Sequence, residues 1–311
     1  MKGPDPWHGS CKLQFLSTEN GTVHQGGCSA PFKLLRAEQG GDGRCELPLL
    51  HTAGGLVGGD RLNIDLTLES NSRALVTSVA AQKVYGSVGR SRLHPQGAWS
   101  HQRMRGQLKA GSDLEWLPQE LVLYAGALLE QQLTVTLPWD ASFLSAEIVR
   151  LGRTAAGETL DRGCWRTSLA LQRSDGVDHR WEMVDRLELG GSNLKSVHGL
   201  AGAPVFGSLV WAAPMHLEPA AMTSLLEGTR EDRCGLEGVM RCSALQQGMV
   251  ARYAGHSSRD ARFWFSRIWS RTRSLRGLQP ARIPRVWPLQ EEPLRRQTFT
   301  SNAQTAAAGT N

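Results

Sequence analysis

The sequence lacks several features that would assign it to a protein class at once. None of its apolar runs approaches the roughly 20 residues that a membrane-spanning helix needs. Its first thirty residues, which include Pro4, Asp5 and Pro6, have no apolar segment typical of a signal peptide. Its six cysteines, at positions 11, 28, 45, 164, 234 and 242, contain no Cys-x-x-Cys pair and no paired zinc-site spacing. We therefore expect free thiols, a reducing compartment and a cytoplasmic protein.

Basic residues are concentrated near the C-terminus. The 311-residue chain has a net charge of +6 and 40% hydrophobic residues, a composition typical of a soluble globular protein. Residues 252–296 contain eleven Arg, no Lys and three acids, a local net charge of +8, which leaves −2 on the remainder. A basic segment on a nearly neutral body predicts an acidic partner surface or a polyanion.

Apolar and polar residues alternate along much of the chain. From Leu62 to Leu68 every second residue is Leu or Ile and the residues between them are polar, which is the period of a half-buried strand. The same pattern recurs at 133–137, 167–172 and 181–189, with turn-forming residues between these segments. The pattern predicts a mainly β fold, either a sandwich-like or a strand-rich superhelical assembly.

Two helices are predicted toward the C-terminus, at about 219–228 and 258–276. Pro219 near the start and Gly228 at the end bracket the first helix. The second begins after Ser257 with a capping-box spacing and stops at Gly277. Its apolar residues fall on one stripe, which predicts an amphipathic helix with a basic outer face. The outer face would contain Arg262, Arg267, Arg271 and Arg273.

The domain organisation is predicted to be simple. The length of the chain allows one large β domain or two ordinary ones, and we expect a single β-rich domain over residues 1–296. Prolines at 280, 284 and 288 predict an extended segment after the second helix. Residues 297–311 are polar and without periodicity, and we expect them to form a disordered tail.

A glycine-rich stretch, HTAGGLVGGDRL, occupies residues 51–62. Gly54 and Gly59 have the spacing of a phosphate loop, but Asp60 and Arg61 stand where that loop needs Lys and a hydroxyl. A strand pattern also follows, whereas a phosphate loop requires a helix N-terminus. The stretch therefore predicts no nucleotide site. Its paired glycines predict a turn or bulge in which backbones approach closely.

Several blocks in a fixed order resemble the urease accessory protein UreD (UreH) family. They are HTAGGLVGGDRL, VAAQKVYGS at 79–87, LEWLPQE at 114–120, EIVRLGRTAAGE at 147–158, RYAGHSS at 252–258 and PRVW at 284–287. Together they extend over roughly residues 30 to 290. The chain departs from the family at Gly86, where the family often has Arg after the Tyr, and in the 297–311 extension.

The resemblance implies a non-enzymatic chaperone for urease maturation. With the partners UreF and the GTPase UreG, such proteins help to load nickel into the active site of apo-urease. The resemblance implies nickel in transit and no tightly bound cofactor, with a route for nickel between the GTPase side and urease. It also implies a superhelical β fold with a pair of helices, no nucleic acid or membrane partner, and is compatible with a dimer within the accessory complex.

Four residues are candidate nickel contacts along such a route. Nickel in transit needs exchangeable ligands, and Ni(II) accepts imidazole, carboxylate and water. His51 and Asp60 stand at the two ends of the glycine stretch, and Glu115 and Glu120 flank Pro118, where a bend can turn both toward one cavity. The alternatives are a core imidazole for His51, a turn acceptor for Asp60 and a solvated strand face for the two glutamates.

Other residues are candidate partner contacts. Lys83 and Tyr85 share a strand face, which suits either a polar channel or structural pairing. On the second helix, aromatic residues and Arg suit an interface, and packing onto the β body is the alternative. These helix candidates are Trp264, Phe265, Trp269 and Arg271. Glu147 and Arg150 are expected to form a buried ion pair, which by itself carries little functional information.

Two other function classes compete with the chaperone. A β-rich carbohydrate hydrolase would use Glu115 and Glu120 as acid and base in an open groove lined by aromatics, but aromatic residues are only 6% of the chain. A nucleic-acid-binding protein would use the Arg-rich helix, although the neutral remainder and the absence of Lys from that segment argue against it.

Overall fold

The computed structural model describes residues 6–174 and 176–295. The predicted tail at 297–311 lies outside the described residues. The described chain forms eighteen strands and two α-helices. The strands are β1 (His8–Thr18), β2 (Gly21–Cys28), β3 (Phe32–Leu34), β4 (Glu38–Gln39), β5 (Cys45–His51), β6 (Arg61–Leu68), β7 (Arg73–Ser78), β8 (Gln82–Val84), β9 (Ser100–Leu108), β10 (Asp113–Leu117), β11 (Leu121–Leu123), β12 (Leu128–Leu137), β13 (Ser142–Leu151), β14 (Cys164–Ser174), β15 (His179–Gly190), β16 (Val205–Ala212), β17 (Val239–Leu245) and β18 (Gly248–Gly255). The helices are α1 (Pro219–Glu231) and α2 (Ser258–Leu275).

The strands form two sheets that the chain visits in turn. The first sheet has the order β15-β14-β12-β9-β6-β1-β2. The second has the order β17-β18-β16-β13-β10-β7-β5-β3, with β4, β8 and β11 paired along it. From β5 to β14 the chain alternates between the sheets, and the strands it adds to each sheet are parallel. This superhelical coil confirms the predicted mainly β fold.

The main core lies between the two sheets and follows the predicted alternation. Leu62, Ile64, Leu66 and Leu68 of β6 are all at most 2% exposed, whereas the residues between them retain accessible surface. Because side chains of a strand point alternately to its two faces, one face of β6 fills the core. All six cysteines are free, as expected from their spacing.

A second apolar cluster fixes α2 on the outer side of the second sheet. Trp264, Phe265 and Trp269 are at most 2% exposed and belong to one cluster with Trp211 of β16 and other residues of that sheet. Burying such large aromatic side chains supplies most of the packing free energy of a helix on a sheet. Among the described residues, neither helix is both long and apolar enough to span a membrane.

The helix boundaries agree with the sequence at one helix and differ at the other. The backbone N–H of Asp260 donates to the hydroxyl of Ser257 at 3.1 Å, as the capping spacing predicts, and α2 ends just before Gly277. The first helix, α1, continues past Gly228 to Glu231. At Gly228 a Cβ would collide with the guanidinium of Arg271, so this glycine permits close helix packing and does not end the helix.

The predicted basic outer face of α2 is wrong. Arg262, Arg267 and Arg273 are each at most 5% exposed. Arg262 pairs with Glu120 at 3.3 Å, and Arg267 donates to backbone carbonyls, including that of Cys234 at 3.0 Å. These arginines point inward because the β body offers acceptors for their donors. The Arg-rich helix therefore presents no basic face of the kind that nucleic-acid binding requires.

A buried group of three arginines and three carboxylates joins α2 to the first part of the chain. We call it the arginine–carboxylate cluster. Its shortest ion pairs are Arg44–Asp113 at 2.6 Å, Arg273–Asp42 at 2.9 Å, Arg273–Glu115 at 3.0 Å, Arg276–Asp113 at 3.0 Å and Arg44–Asp42 at 3.3 Å. All six side chains are at most 7% exposed. Loss of one partner would leave an uncompensated buried charge.

Candidate functional site

A cavity of about 320 Å³ lies between the two sheets. The second sheet bends beside the cavity at two places. One is residues 79–81, between β7 and β8, and the other is residues 118–120, between β10 and β11. The cavity is partly apolar, with Ile64, Met104 and Trp116 in its walls. It also has a polar lining, which includes Gln102, Gln119, Gln131, Ser145, Glu147, Thr167 and Ser208. Such a cavity accommodates water or a hydrated ion.

Of the five exposed lining residues, Gln132 lies on β12, and the other four, Gly54, Ala80, Ala81 and Lys83, form the mouth of the cavity. They belong to the HTAGGLVGGDRL and VAAQKVYGS stretches, which the fold brings together. Ala80 has φ +60°, a left-handed conformation that costs a non-glycine residue on the order of 1 kcal/mol. A strained small residue at an opening is a feature of functional sites.

The glycine stretch forms the close backbone contact that its sequence predicts. Leu56 pairs with the end of β8: its N–H donates to the carbonyl of Lys83, and its carbonyl accepts from the N–H of Tyr85, both at 2.8 Å. A Cβ at Gly55 would lie 2.8 Å from the carbonyl oxygen of Lys83, and φ there is +152°. The glycine is therefore required by both space and conformation.

His51 lines the cavity at the end of β5 and is half-buried. Its Nε2 atom is buried and has no hydrogen-bond partner within the described chain. Burial lowers the pKa of its imidazole, against the opposing charge of Asp60. A neutral imidazole with an unpaired nitrogen is the form that binds a metal ion.

Asp60 organises the glycine stretch and does not line the cavity. Its two oxygens accept the backbone N–H groups of Trp7 and Val57, each at 2.8 Å. The side chain is 1% exposed. This is the turn-acceptor role that the sequence offers as the alternative, and the predicted nickel contact of Asp60 stays a prediction.

Glu115 and Glu120 also lie outside this cavity. Glu115 is 0% exposed and belongs to the arginine–carboxylate cluster. Glu120 pairs with Arg262 on the other side of the bend that begins at Pro118. The bend itself agrees with the sequence, but it turns neither carboxylate into the cavity. A fully buried Glu115 also cannot act on a polymer in an open groove, which counts against the hydrolase alternative.

Glu147 is the cavity residue whose place the sequence does not indicate. The expected ion pair with Arg150 is absent from the described contacts, because Arg150 donates to Thr154 at 2.9 Å and to Ser258 at 3.3 Å. The Glu147 carboxylate accepts a short hydrogen bond from Gln131 across the cavity. Burial raises its pKa from 4.5 to about 7. A lone acid within the buried strand β13 is the signal that the sequence offers for it.

The predicted partner contacts are divided between the mouth and the interior. Lys83 is at the mouth, and Tyr85 follows it with its ring 5.1 Å from that of Tyr124. Trp264, Phe265 and Trp269 are buried, which matches packing on the β body, the alternative raised by the sequence. Arg271 is half-buried and pairs with Asp232.

The described lining of the cavity contains separate candidate metal ligands and no closed metal-binding group. Within residues 6–174 and 176–295, no three His, Cys, Asp or Glu side chains come together as a metal-binding group. His51 and Glu147 both line the cavity, with amide and hydroxyl side chains beside them. Such a lining suits a weakly held, exchangeable ion.

Gly86, the position that departs from the family pattern, is also explained by a close approach. A Cβ there would collide with the carbonyl oxygen of Ala125. The backbone that follows is paired as well, since the N–H of Ser87 donates to the carbonyl of Gly126 at 2.9 Å. In this chain the position therefore requires glycine.

Comparison with known proteins agrees with this architecture. The family described as "UreD urease accessory protein" matches residues 8–288. The chain is 70% identical to the urease accessory protein UreD of Synechococcus sp. (strain CC9605), over 100% of both chains. It is 69% identical to that of Parasynechococcus marenigrum (strain WH8102), again over 100% of both. It is 50% identical to that of Prochlorococcus marinus (strain NATL1A), over 93% of this chain and 97% of that protein. The chain therefore belongs to the UreD family of urease accessory proteins.

Proposed function

We propose that this chain, acting with UreF and the GTPase UreG, passes nickel to the active site of apo-urease. In this role it is a cytoplasmic chaperone without catalytic activity, and GTP hydrolysis belongs to UreG. Membership of the UreD family supports a role in urease maturation. Nickel is the cargo of the proposed transfer and not a resident cofactor.

The observation that carries the proposal is the cavity with His51 and Glu147 in its wall. A nickel ion that moves through a protein needs ligands that bind and release it, and a closed thiolate site would hold it. One neutral imidazole and one carboxyl group, surrounded by amides and hydroxyls, meet this need. The four small or flexible residues of the mouth would let the ion pass between the cavity and a partner protein.

The protonation of Glu147 would suit a transient ligand. A carboxylate must be deprotonated to bind a metal ion, and binding then releases its proton. With a pKa of about 7, the carboxyl needs little free energy to lose its proton when the cation arrives. When the ion leaves, the group can take up a proton again, so that no uncompensated charge stays in the cavity.

The test is the nickel content of urease after activation in the presence of UreF and UreG. We expect His51→Ala and Glu147→Gln to lower nickel incorporation, and the double variant to lower it further. Ala81→Trp should act by narrowing the mouth. Glu130→Gln is the matched control, because Glu130 lies next to Gln131 in β12 and on the opposite face of the sheet from the cavity.

Two outcomes would separate the candidates. Full nickel loading by the His51, Glu147 and Ala81 variants would refute passage through this cavity. A loss caused by Asp60→Ala or Glu120→Gln, with the cavity variants unaffected, would instead support the contacts predicted from the sequence outside it. Copurification with UreF and apo-urease in each case shows whether a variant has lost transfer or assembly.

A further inference from the structure

The connections between the two sheets stack on one another at one end of the superhelix. We call this surface the loop end and define it as residues 52–60, 85–99, 124–127, 152–163 and 191–204. Backbone hydrogen bonds join each connection to the next. Three of them are Gly59 N–H to Trp99 O at 3.1 Å, Ser87 N–H to Gly126 O at 2.9 Å and Gly191 N–H to Leu160 O at 3.2 Å. In the fourth, Cys164, the first residue of β14 directly after residues 152–163, donates its N–H to Ala127 O at 2.8 Å.

The loop end carries an excess of basic side chains that are not paired with acidic residues of the described chain. It contains five basic residues, Arg90, Arg92, Arg153, Arg162 and Lys195, and three acids, Asp60, Glu158 and Asp161. Asp60 is buried, Glu158 pairs with Arg153, and Asp161 is exposed next to Arg162. Arg90, Arg92, Arg162 and Lys195 are exposed and form no salt bridge with the described part of the chain. This differs from the C-terminal helix, whose arginines mostly have internal acceptors.

Large apolar side chains stand among these charges. Leu93 is 85% exposed, Val197 is 82% exposed and Val57 is 45% exposed. Trp7 is 46% exposed, and its backbone N–H donates to the carboxylate of Asp60, which belongs to the loop end. Exposed apolar residues surrounded by polar and charged residues are typical of protein interaction sites.

The loop that carries Leu93 is held in a defined shape. The N–H of Gly89 donates to the carbonyl of Pro95 at 2.8 Å, and the N–H of Gly97 donates to that of His94 at 3.0 Å. At its base the hydroxyl of Ser87 donates to the carbonyl of Ala98 at 2.9 Å. A loop fixed in this way loses little conformational entropy when a partner covers its tip.

The mouth of the cavity adjoins this surface. Gly54 belongs to the loop end. Lys83 is separated only by Val84 from the second connection of the loop end, which begins at Tyr85. A protein that receives an ion at the mouth without losing it to solvent must cover the surface around the mouth. This argument rests on the proposed function, in which apo-urease receives the nickel.

We propose that the loop end is the docking surface for apo-urease. It would bind an acidic surface of urease through Arg90, Arg92, Arg162 and Lys195. Leu93 would enter an apolar recess of that surface. Charge complementarity would bring the partners together, and the buried apolar tip would slow their dissociation.

Binding without nickel tests this surface. The full chain, copurified with UreF, is titrated with metal-free apo-urease in nickel-free buffer at two salt concentrations. We expect Arg90→Glu/Arg92→Glu and Leu93→Asp each to weaken binding by about tenfold or more. The charge variant should also flatten the salt dependence. Arg162→Glu/Lys195→Glu, on the neighbouring connections, is the second variant if the first fails to fold.

Arg186→Glu is the matched control. Arg186 is exposed on β15, away from the loop end, and we expect wild-type affinity for this variant. Unchanged affinity of the loop-end variants for apo-urease would overturn the proposal, and so would a loss of UreF with apo-urease binding intact. Because no nickel is present, the docking surface can hold or fail independently of passage through the cavity.

Discussion

Replacing Glu147 by Gln should make the protein more stable at alkaline pH and leave it nearly unchanged in acid. The wild-type carboxyl lines the cavity and accepts a hydrogen bond from Gln131. Gln has the shape of the protonated acid and keeps an oxygen for that hydrogen bond. The substitution therefore removes the charge and little else.

The magnitude follows from the pKa. Burial raises the pKa of Glu147 from 4.5 to about 7 in the folded protein, so the folded state favours the protonated form. Protonation of Glu147 therefore contributes to the free energy of unfolding. This contribution is fully present below about pH 4.5 and is lost as the pH rises through about 7. A rise of this size corresponds to about 3 kcal/mol well above pH 7. The residue is half-buried, and screening by solvent reduces the expected effect to about 1–2 kcal/mol.

The assay is thermal or urea unfolding of both proteins from pH 4 to pH 8.5. Near pH 4 the two free energies of unfolding should agree closely. At pH 8.5 the Glu147→Gln variant should have a Tm higher by about 1.5–3 °C, given the unfolding entropy of a chain of this length. A difference that does not change with pH, or a less stable variant at pH 8.5, would refute the reasoning. The gain in stability should accompany the loss of nickel transfer.

Three further predictions concern other parts of the molecule. Arg273→Met should lower the free energy of unfolding by about 3–5 kcal/mol, because Glu115 and Asp42 lose a buried partner, whereas the same change at the exposed Arg285 should have little effect in urea titrations. Gly55→Ala should lower Tm more than Gly54→Ala, since both have positive φ but only Gly55 is crowded. Burial raises the pKa of Cys11 to about 12 and of Cys45 to about 11, so at pH 8 a thiol reagent should label neither, by mass spectrometry, before unfolding.

Local features of the fold could be predicted from the sequence. The alternation in β6, the capping residue Ser257 and the paired glycines after His51 each depend on neighbouring residues, and each adopts the predicted structure. The partners of the arginines in α2 could not be predicted in this way. Arg273 meets Asp42 and Glu115 from positions 231 and 158 residues away along the chain. The periodicity of a helix identifies which residues share a face. It does not show whether carboxylates and carbonyls from distant parts of the chain cover that face.

The candidate site shows the same limit. His51 is predicted from its place beside the glycines, and it does line the cavity. The sequence pairs Glu147 with its near neighbour Arg150, whereas its contact, Gln131, comes from the opposite sheet. The cavity lies beside the bends of the second sheet after β7 and after β10, and a two-residue period carries no signal for such a bend. The predicted surface charge is wrong for a similar reason, since pairing removes most of the arginines of α2 from the surface.

The arginine–carboxylate cluster has a consequence for the order of events during synthesis. Asp42, Asp113 and Glu115 leave the ribosome long before Arg273 and Arg276, which between them pair with all three carboxylates. Until those arginines are made, the growing coil has incompletely neutralised carboxylates where its interior should close. We expect a chain that ends at residue 257 to bind hydrophobic dyes and to be cut rapidly by proteases, unlike the full chain. Docking of α2 would then be the last step of folding, so that a truncated chain would not reach the native fold.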